Sequence, residues 1–447
     1  MLSGLLPLLR ESPPYARIRG AVEEGRPIWV QGPAGAEKAY LLAALLADPA
    51  AAVETTVIVL PGRDAAERLA GDLTLFAPEM ADRLAFSPYW EGTPYVRAQP
   101  SLDAVAEWRA LLERLVIGTP TIALLPVSGL LRRLPSAEQL RAERYRIRRG
   151  ERLERDTFLA LLTAYGYERL PLVEARGQMA VRGGVIDLFP PTGGPYRIEL
   201  FGDEVESLRE FDSATQRSVR EVDEVVLLPL REPEEDLTAS LLDFLPSDSL
   251  IVLDEEPELA GQARALLERP DDEAEERHIS WTDVSAQLAE RRRLVLSTLR
   301  GAVPPYENVL LRFGGVEAFG GQTHLLSRTL REWTEQGRRV VVATAHPERV
   351  GEILGDQGLT VPTVAGLESA PEPGTIMAVE AALSRGFVFE SAGLAIITDS
   401  EILGWRRRRS RLRFVRQGKR ITSWADLVPG DYVVHIHHGI GISRGLV

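Results

Sequence analysis

Short apolar runs alternate with stretches of helical spacing through the first 135 residues of the chain. Residues 27–31 (PIWVQ), Thr56–Leu60 (TVIVL) and 121–125 (TIALL) are almost wholly apolar, the pattern of strands buried on both faces. Helical periodicity covers 39–46, 64–76 and 104–116, with a shorter helix over 127–134. This rhythm predicts a parallel sheet clothed by helices on both sides. From about residue 143 the pattern changes. Residues 146–153, 181–189, Tyr196–Phe201 and 205–211 read as strands, broken by turns at Gly183-Gly184 and 190–195, with one helix over 155–165. Residues 223–228 lead back to further buried strands at 249–253 and 294–297.

The expected architecture is therefore α/β: a parallel-sheet P-loop (helicase-like) domain from 1–140 and 226–307, with an α+β module inserted at 141–225. A second, smaller α/β domain is expected over 308–404, with a helix at 323–336, a strand at 339–343, a helix after His346 and a strand at Leu394–Thr398. A basic linker at 405–424 and the start of a small β domain at 425–447, ending in a hairpin, complete the reading. The chain carries no internal repeat.

Composition narrows the class. A 447-residue chain with 45% hydrophobic and 26% charged residues has the make-up of a globular protein of about three domains. No apolar run approaches the roughly 20 residues of a membrane helix. The opening MLSGLLPLLRESPP lacks a basic n-region and a small-residue cleavage site, so it reads as an amphipathic helix and not a signal peptide. The absence of cysteine excludes disulfides, thiolate zinc sites and cysteine nucleophiles, and fits a cytoplasmic setting. A net charge of −13 argues against a general nucleic-acid coat. The charge is uneven: acids gather at 232–236 and 271–276, while nine basic residues and no acid lie between Arg406 and Arg420. Lys38 and Lys419 are the two lysines, and codon usage in a GC-rich genome would explain the preference for arginine.

The candidate chemistry lies at Gly32-Pro-Ala-Gly-Ala-Glu-Lys-Ala39. A phosphate-binding loop reads G-x-x-x-x-G-K-[ST] between a strand and a helix. Gly32 and Lys38 fit, and Gly35 lies within the loop, but Glu37 replaces the second glycine and Ala39 the hydroxyl residue. Ala39 has no oxygen to offer Mg²⁺. A carboxylate at Glu37, about 5 Å from a phosphate charge, would cost roughly 3 kcal/mol at an effective dielectric of about 20. The expectation is a loop that does not hydrolyse nucleotide, although a glycine-containing turn of no nucleotide ancestry would read the same way. Asp254 and Glu255, at the end of a buried strand, sit where an ATPase holds its metal and water.

Four segments carry a family resemblance: TVIVLPGRDAAERLAGDL, QMAVRGGVIDLFPPTGGPYRIELFGDEVESLREFD, FLPSDSLIVLDEEPEL and PGDYVVHIHHGIGISRGL. Their order resembles that of the damage-recognition protein UvrB, and more closely the N-terminal half of the bacterial transcription-repair coupling factors (Mfd). It covers essentially the whole chain. The second segment is similar to the family's UvrA-binding domain, and the third to the strand that ends in UvrB's Walker B acids. The fourth resembles the start of a polymerase-interacting domain that UvrB lacks. UvrB also keeps an intact phosphate loop and a long aromatic hairpin. Here only a short connection containing Tyr89, Trp90 and Tyr95 stands in that hairpin's place, and these aromatics equally suit domain packing.

The resemblance implies several roles. Arg169 and Arg182 match arginines that contact UvrA, although both also read as solvated arginines in an arginine-rich chain; Ala180 replaces a further family arginine, while Ile186 and Phe189 are expected in the module's core. Asp254 and Glu255 would be relicts of Walker B. Leu446 would lie near the surface that meets the RNA polymerase β subunit. Arg406, Arg407, Arg408, Arg409, Arg411 and Arg413 form a candidate patch for DNA backbone or an acidic polymerase face, with a solvated linker as the alternative. His435, His437 and His438 lack the carboxylate or cysteine that would make a metal set, so no metal is expected. The family's ATP-driven DNA translocase, with its ATP and Mg²⁺, and its inhibitory C-terminal domain would lie downstream, so this chain would end partway through the polymerase-binding domain. The expected role is an adaptor that brings UvrA to stalled polymerase, with double-stranded DNA a partner of the full-length protein and no membrane partner. The alternatives are a residual ATPase acting on DNA and a UvrB-like damage-binding protein.

Overall fold

The computed structural model describes residues 1–51, 53–88, 102–231, 237–268, 277–298, 305–403, 432–435 and 439–442. Tyr89, Trp90, Tyr95, the arginines from Arg406 to Arg413, His437, His438 and Leu446 lie outside them.

Seven strands make the first sheet: β1 (Ile28–Gln31), β2 (Thr56–Leu60), β3 (Leu84–Phe86), β4 (Ile122–Pro126), β13 (Leu250–Asp254), β14 (Arg292–Ser297) and β15 (Glu307–Leu310). Their order is β15-β1-β14-β13-β2-β4-β3, and every pairing is parallel. Alternation along the strands divides their side chains between two cores. Ile28, Val30, Ile58 and Val252 face one, and Trp29, Val57, Val59 and Ile251 face the other. The first core is roofed by helices α1 (Leu6–Arg10), α2 (Pro13–Glu23), α3 (Ala36–Leu46) and α4 (Arg63–Phe76). The predicted double covering is observed. The strand Glu307–Leu310, at the boundary where a second α/β region was expected to begin, adds an edge to this first sheet beside β1.

Strands β5 to β12 come from the stretch between β4 and β13. Six of them, β6 (Glu168–Arg169), β7 (Gln178–Arg182), β8 (Val185–Leu188), β9 (Tyr196–Phe201), β10 (Glu204–Phe211) and β11 (Ser218–Glu221), form a sheet in the order β11-β10-β9-β8-β7-β6. The other two, β5 (Tyr145–Arg148) and β12 (Glu224–Leu227), pair with each other. The apolar run over 181–189 is thus a hairpin, not one strand. Gly183 takes φ +61°, the left-handed region a tight turn needs and other residues avoid. The strand expected over 146–153 stops at Arg148, where the chain turns through Gly150 (φ +79°).

A third sheet, in the order β16-β20-β21-β17-β19-β18, uses β16 (Phe313–Gly315), β17 (Arg339–Thr344), β18 (Thr363–Val364), β19 (Ile376–Glu380), β20 (Phe387–Phe389) and β21 (Leu394–Thr398). One of its faces shares the first core: Val341, Ala343, Phe387, Phe389 and Ile396 pack in the same cluster as α1, α3 and α4. Helix α3 is therefore sandwiched between two sheets, with ten of its eleven residues buried. Tyr40 lies at its centre, its ring 5.1 Å from Phe76 and 5.6 Å from Phe387, and its hydroxyl donates to Leu5 O at 2.5 Å.

The C-terminal unit, Arg406–Val447, contains an antiparallel pair, β22 (Tyr432–His435) and β23 (Gly439–Ile442), as the sequence predicted. No helix among the described residues is long and apolar enough to cross a membrane.

Candidate functional site

The parallel register brings the carboxyl ends of β1, β13 and β14 together, and with them the phosphate-loop residues and the acid pair. Gly32 leaves β1 at φ +122°, and a Cβ there would sit 2.0 Å from Leu311 O, so glycine is obligatory for the close approach of that backbone. Gly35 precedes α3, which begins at Ala36 and not at residue 39. The earlier start places Glu37, Lys38 and Ala39 in the helix's first turn.

Glu37 folds back into the loop. Its Oε2 accepts the Gly35 N–H at 2.6 Å, and the residue is only 6% exposed. Burial pushes its carboxyl above the usual range, opposed by hydrogen bonds from the Glu37 and Gly35 backbone and by Arg385 and Lys38. Arg385, from the segment before β20, also reaches Gly35: a Cβ on that glycine would lie 3.6 Å from Arg385 Cδ. A carboxylate of the chain itself thus receives the helix N-terminus and a nearby cation, the environment that suits an anion.

Lys38 points elsewhere. Its Nζ is 2.5 Å from Asp254 Oδ1 and 3.7 Å from Glu255 Oε1. Burial raises the Asp254 carboxyl even with the ammonium in contact, so desolvation outweighs the ion pair there. Glu255 adopts a left-handed conformation (φ 58°, ψ 62°), uncommon for a non-glycine residue, and stands at the N-cap position of the following helix without a side-chain bond to it. Its carboxylate accepts Ser297 Oγ at 2.9 Å and Thr298 N–H at 2.8 Å. Ala39 is fully buried in the first core. The residues present do not fit a Mg²⁺-bound triphosphate: the hydroxyl ligand is missing, and a side-chain carboxylate takes up a loop N–H. Among the described residues no cluster has the makings of a metal site.

The two module arginines are both exposed but lie on different faces. Arg169 pairs with Met179, which faces the module's core. Arg182 lies three residues beyond Met179, so it projects from the opposite face, where its Nη2 donates to Pro171 O at 2.6 Å. That outer face carries a row of charge: Arg197 grips the buried Asp187 at 2.7 and 2.9 Å, and Glu199 accepts Ser207 Oγ at 2.6 Å. Ile186 is fully buried, and Phe189 packs half-buried beneath the Arg176 guanidinium at 4.8 Å.

Sequence reasoning missed Arg385, Ser297 and Thr298. No local motif marks them, because only the fold carries them to the loop and the acids.

These sheets and the loop define an α/β protein on a parallel-sheet plan, with a P-loop-type strand, loop and helix near its edge. Within it, residues 145–232 match the family model described as the UvrB interaction domain. Over longer stretches the chain is similar to transcription-repair-coupling factors. It is 27% identical over 468 aligned residues to that of Bacillus subtilis (strain 168), covering 85% of this chain and 39% of that protein. It is 25% identical over 412 residues to that of Staphylococcus aureus (strain bovine RF122 / ET3-1), covering 75% and 35%. These matches bear out the resemblance to the N-terminal part of such a factor, and the chain spans little more than a third of the length of these relatives. A hypothetical ATP-dependent RNA helicase from Sulfolobus tokodaii aligns over 86% of this chain and 83% of its own, at 11% identity and a TM-score of 0.28. With so low a score, the fold class rests on the strand order and the loop.

Proposed function

We propose that this chain is a docking platform of a transcription-repair coupling factor: it recruits UvrA toward stalled RNA polymerase and does not itself hydrolyse ATP. The observation that carries the second half is the self-occupied loop, with Glu37 on the Gly35 N–H and Lys38 on Asp254. The first half is supported by the match of residues 145–232 to the UvrB interaction domain and by the exposure of Arg182 on its outer face. A guanidinium in that position suits a carboxylate on a partner, because its planar donors bind in pairs.

In this reading Asp254 and Glu255 are structural acids and the chain needs no cofactor. ATP, Mg²⁺ and double-stranded DNA belong to a motor elsewhere in the full-length protein, the polymerase β subunit is met through the region of Leu446, and the setting is cytoplasmic. The test is capture of purified UvrA by the purified chain. Binding weakened by Arg182→Ala is expected; no binding, or binding indifferent to that change, rejects the proposal.

A further inference from the structure

We propose that Phe201 is the apolar anchor of the partner-docking surface on the 145–232 module, with Arg182 as its charged flank. The inference rests on the docking function proposed above and names the residue through which it acts. Phe201 ends β9 and is 77% exposed, the most of any large hydrophobic side chain among the described residues. A lone exposed apolar side chain is ordinary on a protein surface; what sets Phe201 apart is its place on a hairpin held by backbone bonds and on the same face as Arg182.

The register explains why the ring is bare. Val185 pairs with Glu199, and Leu200 N donates to Gly184 O at 2.8 Å, so the next step sets Phe201 beside the Gly183-Gly184 turn. On its other side the chain turns at Gly202, φ +62°. Glycines on both flanks have no side chain to lay over the ring. Phe201 shares its face with Glu199, since residues two apart on a strand point the same way, and Arg182, paired with Val185, shares it too. Two strand spacings and two residues separate Arg182 from Phe201, about 12 Å on the dimensions of a regular sheet.

The hairpin is held rigid. Arg152 and Glu204 form an antiparallel backbone bridge, Leu153 N–H donates to Asp203 O at 2.6 Å, and Val205 N–H donates to Glu151 O at 2.9 Å. The Arg152 guanidinium pairs with Asp203 at 3.1 Å while remaining 85% exposed. The ring lies directly opposite Glu204 and on the same face as Arg182, an apolar centre with charge at its edge, as in an interface hot spot. Because the ring is already positioned, little conformational freedom is lost on docking. The occupant it fits is a protein presenting an apolar socket with a carboxylate about 12 Å away. Continuity with Arg182 assigns that occupant to UvrA.

The test uses the whole 447-residue chain and purified UvrA, with affinity and thermal midpoint read for Phe201→Ala, Phe201→Leu, Val219→Ala and Arg182→Ala. Phe201→Ala is expected to weaken binding at least tenfold. Its thermal midpoint should not move, since the ring lies in water. Phe201→Leu should fall between, and Val219→Ala should match the wild type: that side chain is 66% exposed on β11, about 20 Å away along the sheet. Wild-type affinity in Phe201→Ala, with Arg182→Ala weakened, would overturn the anchor and leave the docking function standing. A lowered midpoint that tracks the lost affinity would overturn it as damage to the fold. Self-association of the chain abolished by Phe201→Ala, with UvrA binding intact, would assign the ring to a second copy and overturn it too. No UvrA binding by the wild type would sink both.

Discussion

The crevice at the carboxyl ends of β1, β13 and β14 and the hairpin tip at Phe201 treat their side chains in opposite ways. In the crevice the charged groups turn inward: Glu37 to the Gly35 N–H, Lys38 to Asp254, and Glu255 to Ser297 and Thr298. At the tip Phe201 stands 77% exposed, on a hairpin tied down from behind. The difference shows that a motif's residue types do not define its chemistry. A charge already satisfied by its own chain has nothing left for a ligand, whereas a group held out in water by rigid backbone does.

The contrast predicts stability defects in the crevice and binding defects at the tip. The largest effect is expected from Tyr40→Ala, which empties the middle of the two-sheet sandwich and should cost about 4 kcal/mol in denaturant unfolding. A loss under about 1 kcal/mol would show that the third sheet does not pack on α3 as described. Next comes Lys38→Met. In a working loop this lysine serves the nucleotide; here its loss leaves Asp254 buried without a counter-ion and should cost about 3 kcal/mol. UvrA binding should be unchanged by it. At the tip the pattern inverts: Arg182→Ala should alter stability by no more than about 0.5 kcal/mol while weakening UvrA capture.

The smallest effect is a pH dependence. Glu37 and Asp254 both have folded-state values raised by burial above their ordinary 4.5 and 3.8. The native state therefore keeps protons that the unfolded chain has released, and stability falls as pH rises from those ordinary values through the raised ones. Glu37→Gln should remove the glutamate's share of that fall and slightly raise the unfolding midpoint at pH 7. A midpoint lowered at pH 7, with the slope unchanged, would mean that the carboxylate's charge holds the loop together.

Much of the scaffold was legible along the chain. Thr56–Leu60, Tyr196–Phe201 and Leu394–Thr398 are strands with the predicted ends, because each is a β-prone run punctuated by turn residues. The loop's two departures were legible too, since Glu37 and Ala39 break a spacing with known mechanics. What remained hidden depends on tertiary placement. Arg385 meets Gly35 only because the third sheet packs on α3, and the turn of Glu37 back onto its own loop is invisible in a motif that records residue types alone. Arg169 and Arg182 looked equivalent in sequence, but the pleat sends them to opposite faces. Phe201 reads as an ordinary strand aromatic until the register sets glycines beside it.

The most direct measurement of the central claim, that the phosphate loop is filled by its own chain, is a calorimetric titration of Mg-ATP into the purified protein. With Glu37 seated on the loop and Lys38 committed to Asp254, no saturable heat should appear. Micromolar binding that disappears in Lys38→Ala would contradict it.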